Sequence, residues 1–352
     1  MKSHFLIKDI ALQAGVGPAT VDRALNRRGN VRQQTLDRVH QAIIELEKQR
    51  KQLAMTGRKL IADFVVEAPQ NFLQALDVAL AAELPLQRPA VFRIRAAMHT
   101  EFPIAAIEQE LTRIERRGSD GVIIMAPAAE RLVRAINRLE AAGIPVVTFA
   151  SDSSDSNRTA YVGLDNRVAG GTAAWFLGKW LDRRPAPRVL VTIRNERFRG
   201  EEDRETGFRT TLAKCLPDAE VEILVEGQHR ASFLDRVTET CAGRPFDAVY
   251  SIGGGNRGLL DLMDALDRGP GVFIAHDLDP DNRMLLETGR IDMILYHDLQ
   301  EDIRNTFRIF MARHFSEAIP EPPQNAALRI LVPPIFRRLV ASANSGPSPN
   351  PS

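Results

Sequence analysis

A run of about 18 apolar residues, the length a bilayer-spanning helix needs, occurs nowhere in this chain of 352 residues. The first apolar stretch, Phe5-Leu6-Ile7, is broken at once by Lys8 and Asp9, too short for the core of a signal peptide. Cysteine is scarce. Cys215 and Cys241 are the two present, 26 positions apart and in no CxxC or histidine-rich spacing. That pattern excludes the sequence signatures of a disulfide framework or a zinc site, and it fits small buried residues in a reducing compartment. Short-period repeats and low-complexity tracts are missing as well, apart from the tail SANSGPSPNPS at 342–352, which is expected to be disordered. These absences together lead to the expectation of a cytoplasmic protein with no membrane partner. What remains, 44% hydrophobic and 26% charged residues, is ordinary globular material, long enough for two or three domains.

Net charge is nearly absent too, at +1, but that total hides a division. Residues 1–59 hold 12 Lys/Arg against 5 Asp/Glu, whereas the rest hold 34 against 40. A basic head on an acidic body points to a nucleic-acid partner. Within the head, Ile7, Ile10, Ala11 and Ala14 recur at helical spacing and predict one face of a first helix. Gly15 follows, suited to the left-handed residue that ends such a helix. Pro18 stands where a second helix would start, its missing N–H harmless there. Val21, Ala24 and Leu25 predict the inward face of that second helix, and Leu36, Val39, Ile43 and Leu46 that of a third. Three short helices with a glycine turn between the first two form a helix-turn-helix, whose second helix enters the major groove. On that helix Arg23 is the long donor for a phosphate or a guanine edge, while Thr20, Asn26, Asn30 and Thr35 can bond phosphates.

The stretch IKDIALQAGVGPATVDRALN (7–26) resembles the helix-turn-helix of the lactose-repressor (LacI/GalR) family of bacterial transcription regulators, and NVRQQTLDRVHQAIIEL (30–46) resembles its third helix. The resemblance implies Pro18 and Ala19 as recognition positions, with Thr20, Arg23 and Asn26 as further DNA contacts. Gly17 and Asp22 stand where that family usually has serines. An acid facing phosphate is repulsive unless it pairs with a neighbour such as Arg23 or caps an amide. Family members then carry a Gly-Tyr-x-Pro-Asn segment and a hinge helix with a leucine that wedges into the minor groove. Here LEKQRKQLAMTGRK replaces them, and Leu53 is either that wedge or part of a prolonged third helix.

From Lys59 to about residue 296, β-branched runs alternate with helical patterns: LIADFVVEA, PAVFRIRA, DGVIIMAP, IPVVTFAS, RVLVTI, EVEILVE, FDAVYSIG, GVFIAHD and DMILY. Such alternation predicts an α/β fold of parallel sheet covered by helices, and its length calls for two lobes. Ligands of such sheets bind beyond the carboxyl ends of the strands. The candidates there are Asn71, Phe72, Ser151, Asp152, Arg204, Asn256, Asp277, His297 and Asp298. The body resembles the family's effector domain, itself related to periplasmic sugar-binding proteins of type I. YVGLDNRVAGGTAA (161–174), DRETGF (203–208), FIAHD (273–277), ILYHDL (294–299) and VPPIFRR (332–338) carry the likeness. It implies Arg204 and Asp277 as ligand-holding residues.

One motif points elsewhere. GGGNRG at 253–258 satisfies GxGxxG between a strand and a helix, and Asp277 follows about 20 residues later, the dinucleotide-binding pattern of an NAD-dependent oxidoreductase. It lies near the seventh strand rather than the first, however, and no catalytic His, Cys or Tyr-x-x-x-Lys group stands near it. The expectation is therefore a non-enzymatic, sequence-specific transcription regulator, most simply a repressor, with no cofactor or metal. Its partners would be a pseudo-palindromic double-stranded DNA operator, a small sugar-like effector and a second copy of itself. The expected division is a head at 1–50, a hinge at 51–60, a two-lobed ligand-binding and dimerisation domain at 61–341 and the tail.

Overall fold

In the computed structural model, which describes residues 5–26, 31–55, 58–88, 90–195, 197–227, 230–315 and 325–333, all nine β-branched runs of the body become strands. The head comes first, as α1 (Ile7–Ala14), α2 (Pro18–Leu25) and α3 (Gln33–Met55). The third helix continues as far as Met55, into the segment expected to be a hinge, so Leu53 lies on its prolonged backbone.

The first lobe is built from β1 (Lys59–Glu67), α4 (Gln70–Glu83), β2 (Val91–His99), α5 (Ile104–Arg117), β3 (Gly121–Met125), α6 (Glu130–Ala141), β4 (Val146–Phe149) and β5 (Ala160–Val162). Its strands lie in the order β2-β1-β3-β4-β5, all parallel. Parallel strands need crossovers, and the helices that supply them cover both faces, which is why β1 is buried almost throughout. The apolar stripe of α6, Leu132, Ala135, Ile136 and Leu139, is buried in the usual helical spacing.

The second lobe holds α7 (Asn166–Trp180), β6 (Arg188–Ile193), α8 (Arg199–Cys215), β7 (Glu220–Val225), α9 (Arg230–Cys241), β8 (Ala248–Ser251), α10 (Asn256–Ala265), β9 (Val272–His276), α11 (Pro280–Glu287) and β10 (Met293–Tyr296). The chain then returns to the first lobe as α12 (Leu299–Phe315) and ends its described course in the second as β11 (Arg329–Leu331), antiparallel to β10. The second sheet runs β11-β10-β9-β8-β6-β7. The polypeptide thus passes between the lobes three times. Helix α12 belongs to the core of the first lobe: Phe307 stacks on Phe92 with ring centroids 4.3 Å apart, and a Cβ at Gly121 would lie 2.6 Å from the Phe310 ring.

Helices α7 and α8 pack with almost no space between their backbones. A Cβ at Gly170 would sit 1.9 Å from the carbonyl oxygen of Arg204, and one at Gly207 would sit 2.0 Å from that of Arg167. Asp165 starts α7 by accepting from the N–H of Val168 at 3.0 Å. This contact fixes where Arg204 emerges. The strands β5 and β11, three residues each, were not anticipated from the pattern; both are edge strands made by pairing to a longer neighbour.

Candidate functional site

The head is held by Ile10, Ala11, Ala14, Val21, Ala24, Val39, Ala42 and Ile43. Gly15 takes φ +63° at the end of α1, and Arg38 of α3 donates to the carbonyl oxygens of Ala14 at 2.8 Å and Gly15 at 3.4 Å. The third helix therefore clamps the turn that orients the second. Ile7, expected on the inward face, overhangs the end of this small core and is 39% exposed. With Val21 and Ala24 turned inward, Gly17, Pro18, Ala19, Arg23 and Asn26 are exposed, while Thr20 and Asp22 are half-buried. Asp22 accepts from the Asn26 amide at 2.8 Å, so its partner is the amide and not Arg23, whose Nε donates to the Ala19 carbonyl at 3.1 Å. Thr35 is half-buried in the first turn of α3. Asn30 and the side chain of Leu53 lie outside the described residues.

In the body, a cavity of about 810 Å3 lies between the lobes beyond the carboxyl ends of both sheets, a size that suits a small ligand. Asn71, Phe72 and Ser151 line it from the first lobe, Arg204 and Asp277 from the second, and His297 and Asp298 from the crossover after β10. Arg204 is 7% exposed. Its Nε donates to Asn166 Oδ1 at 2.7 Å and its Nη1 to the Ile252 carbonyl at 3.2 Å, and the Asp277 carboxylate stands 3.9 Å away. Two of its five N–H groups are used in this way. Asp277 sits at φ +67°, an unusual conformation for a residue with a Cβ. The amide of Asn282 holds it there, donating to the carbonyls of His276 at 2.9 Å and Asp277 at 2.8 Å.

Two expected ligand residues stand apart from the cavity wall. Asn256 is buried and donates to Asn282 Oδ1 at 2.7 Å, so it supports the Asp277 turn from behind. Asp152 is occupied by Arg158 at 2.6 Å and by the Thr148 hydroxyl at 2.8 Å. His297 is buried against Asp302, which accepts from its Nδ1. His276 lines the cavity, its Nε2 2.7 Å from the Tyr250 hydroxyl; burial first, then the charge of Arg204, keep its ring well below the ordinary histidine range.

Sequence reasoning missed other wall residues. Glu201 accepts from the backbone N–H groups of Arg194 and Asn195 at 2.8 and 3.0 Å, and burial pushes its carboxyl up. Glu67, on the wall, pairs with Arg197 of the second lobe at 3.3 Å. Asn71 of α4 donates to Asp279, the residue that caps α11, joining one lobe to the other. Asn166 belongs to the YVGLDN stretch, and its use depends on Arg204, which a separate segment of the chain brings beside it. The glycines of GGGNRG serve backbone needs: Gly254 and Gly255 take φ +92° and +75°, and a Cβ at Gly253 would lie 2.3 Å from that of Arg194.

Comparison with known proteins agrees with this geometry. The family described as "Periplasmic binding protein domain" matches residues 104–312, and "Bacterial regulatory proteins, lacI family" matches residues 6–48. No curated protein matches the chain. Among solved structures, GanP, a glucose-galactose binding protein from Geobacillus stearothermophilus, is similar with a TM-score of 0.66 at 17% identity, covering 78% of this chain and 97% of that one. A protein designated a LacI transcriptional regulator, from Bacteroides fragilis, has a TM-score of 0.66 at 12% identity, covering 80% and 99%. An ABC transporter solute-binding protein from Burkholderia graminis C4D1M, in complex with D-arabinose, has 0.66 at 18%, covering 79% and 96%. At these identities the structural likeness shows the fold. By its body the chain belongs to the periplasmic binding protein domain family and by its head to the lacI family of bacterial regulatory proteins, so it is a DNA-binding transcription regulator with a ligand-binding body.

Proposed function

We propose that this regulator is a repressor that binds a roughly palindromic operator as a homodimer and releases or tightens on it when a small sugar-like ligand occupies the cleft. One observation carries the ligand half of the reading. A buried arginine with uncommitted N–H groups and a carboxylate 3.9 Å away face one cavity between two lobes, the donor and acceptor pair that grips vicinal hydroxyls. Relatives of the same fold described as binding glucose and galactose, or holding D-arabinose, support the sugar-like class. Asn71–Asp279 and Glu67–Arg197 join the lobes; a ligand between them that touches both lobes would favour the arrangement in which it makes the more contacts and so shift the balance between arrangements.

Symmetry follows from size. One helix-turn-helix head reads only a short site, so two heads on half-sites about one helical turn apart supply specificity. The reading assigns no enzymatic step to the cleft and puts the protein with the chromosome, in the cytoplasm. Footprinting of the full chain on DNA flanking its own gene tests it: two protected, inverted half-sites are expected, and a single unrepeated half-site overturns the dimer. Titration of NAD against the full chain tests the rival use of GGGNRG; saturable binding that leaves operator affinity unchanged would favour the oxidoreductase.

A further inference from the structure

The charges on the cavity wall are not evenly matched. Most of its acids are already engaged. Glu201 is held by two backbone N–H groups, Asp279 by Asn71 and by the N–H of Asn282 at 2.7 Å, and Asp298 by Arg329 at 2.9 Å. Burial also pushes the carboxyls of Glu201 and Asp279 up, so this wall holds its negative charge less firmly than an exposed one would. Two acceptors stay open. The Asp277 carboxylate has no hydrogen bond among the described residues, and Glu67, paired through Oε1, keeps Oε2 buried without a partner.

The cations differ. Arg194 and Arg283 both line the cavity. Arg194 is half-buried and Arg283 stands exposed at the rim on α11. Neither guanidinium has a hydrogen bond or ion pair among the described residues, although the charge of Arg194 is felt at Glu201. The fold makes room for Arg194: its Cβ and backbone nitrogen lie 2.3 and 2.6 Å from where a Cβ at Gly253 would be, so any side chain there would displace it. A neutral ligand would cover Arg194 and the spare donors of Arg204 with only Asp277, 3.9 Å from Arg204, and the already engaged Glu201 to balance them, and charge desolvated without a close partner is unfavourable.

We infer that the cleft takes a hydroxylated acid, a small polyol bearing a carboxylate or a phosphate, with Arg194 and Arg283 on its acid group and Asp277 and Glu67 on its hydroxyls. This rests on the sugar-like reading above and narrows it. The neutral sugars named for proteins of similar fold would then be poor ligands here.

Calorimetry on the full chain decides the matter with three series of probes: neutral pentoses and hexoses, the matching uronates and aldonates, and hexose 6-phosphates. The tightest binder is expected to be an anion, and the series it belongs to tells carboxylate from phosphate. Arg194→Gln should weaken that anion about 10- to 100-fold, the worth of a lost charge-assisted bond, and leave operator binding intact. Arg283→Gln, on an exposed side chain that folding does not need, should weaken it by a smaller factor in the same direction. A neutral sugar as tightest binder, indifferent to both substitutions, overturns the inference and leaves the sugar-like reading standing. No binding from any series, by a chain that still holds its operator, overturns both. Inorganic phosphate binding as tightly as the hexose phosphates also overturns it, because the hydroxyls would then count for nothing.

Discussion

In the head, Ala11, Ala14, Val21, Ala24 and Ala42 are packed around Ile10 so that Pro18, Ala19 and Arg23 can stand in solvent. In the cleft the order is reversed. Arg204 is itself buried, and it is aimed by Asn166, by the Ile252 carbonyl and by the backbone contact of α7 with α8. The head therefore presents its chemistry on a surface whose shape a small apolar core determines. The cleft presents its chemistry through a second set of polar groups, which aim the buried arginine and must themselves be satisfied. Damage to the core should cost the head its fold, whereas damage to the supporting groups should cost the cleft its ligand.

The sharpest way to separate the two regions is Gly170→Val. Its Cβ would meet the Arg204 carbonyl at 1.9 Å, so α7 and α8 must move apart, an overpacking that destabilises by about 3 kcal/mol. Calorimetric melting of the full chain should show the body transition lowered and the head transition unmoved; an unmoved body transition would mean the two helices are not fixed as described. Next comes Asp277→Asn, which keeps the shape and exchanges an acceptor for a partial donor. Ligand affinity should fall by about 1.5–3 kcal/mol, roughly 10- to 150-fold, with ligand-free operator binding near that of the unsubstituted chain. Equal affinity would remove Asp277 from the site. Arg23→Ala tests the head in the same terms: operator affinity should fall by about 1–3 kcal/mol and the salt dependence become shallower by about one, with ligand affinity unchanged. A gel shift at two salt concentrations reads both.

The smallest effect concerns a group that neither region uses. Asp292 accepts from the N–H of Phe273 at 2.8 Å, and burial pushes its carboxyl above the ordinary value of 3.8 while that hydrogen bond opposes the shift. An acid raised in the folded state binds its proton more tightly there than in the unfolded chain. It therefore makes stability decline as pH rises from the unfolded pKa through the folded one, with the full loss above both. Asp292→Asn can still accept from Phe273, so its denaturation curve should be flatter with pH in the acid range. An identical pH dependence in the variant would show that this carboxyl is not shifted.

The two regions also differ in how much the bare sequence disclosed. Helical spacing placed α1 and α2 within a residue, because Ile10, Ala14, Val21 and Ala24 each carry the signal of their own burial. The nine long strands were legible for the same reason. Ile7 was misplaced because its exposure depends on where a three-helix core ends, which periodicity does not encode. β5 and β11 were not foreseen, since three residues make a strand only when a neighbour offers its edge. In the cleft, Asp277 and Arg204 were found from strand ends and family likeness, and both line the cavity. Asn256 was read as a ligand residue by the same rule, yet it faces Asn282. A polar residue after a strand announces that it has a partner, and only the assembled fold says whether that partner is the ligand or another asparagine. Arg194 and Glu201 gave no signal, because their positions depend on the absent side chain of Gly253.

The second passage of the chain between the lobes, from β10 into α12, has a consequence for synthesis. The first lobe begins at Lys59, yet its core includes Ile303, Phe307 and Phe310, and Arg304 binds Glu83 at 2.6 Å across 221 positions of sequence. Contacts of such separation form late, since the intervening loop must close before they stabilise anything. On the ribosome the five-stranded sheet is therefore made early and left with an apolar face that α4 covers only in part while the second lobe is translated as far as β10. The lobe that is first to be begun waits through ten further helices and strands for the helix that closes its core, and until α12 arrives its sheet is a surface for a chaperone to hold.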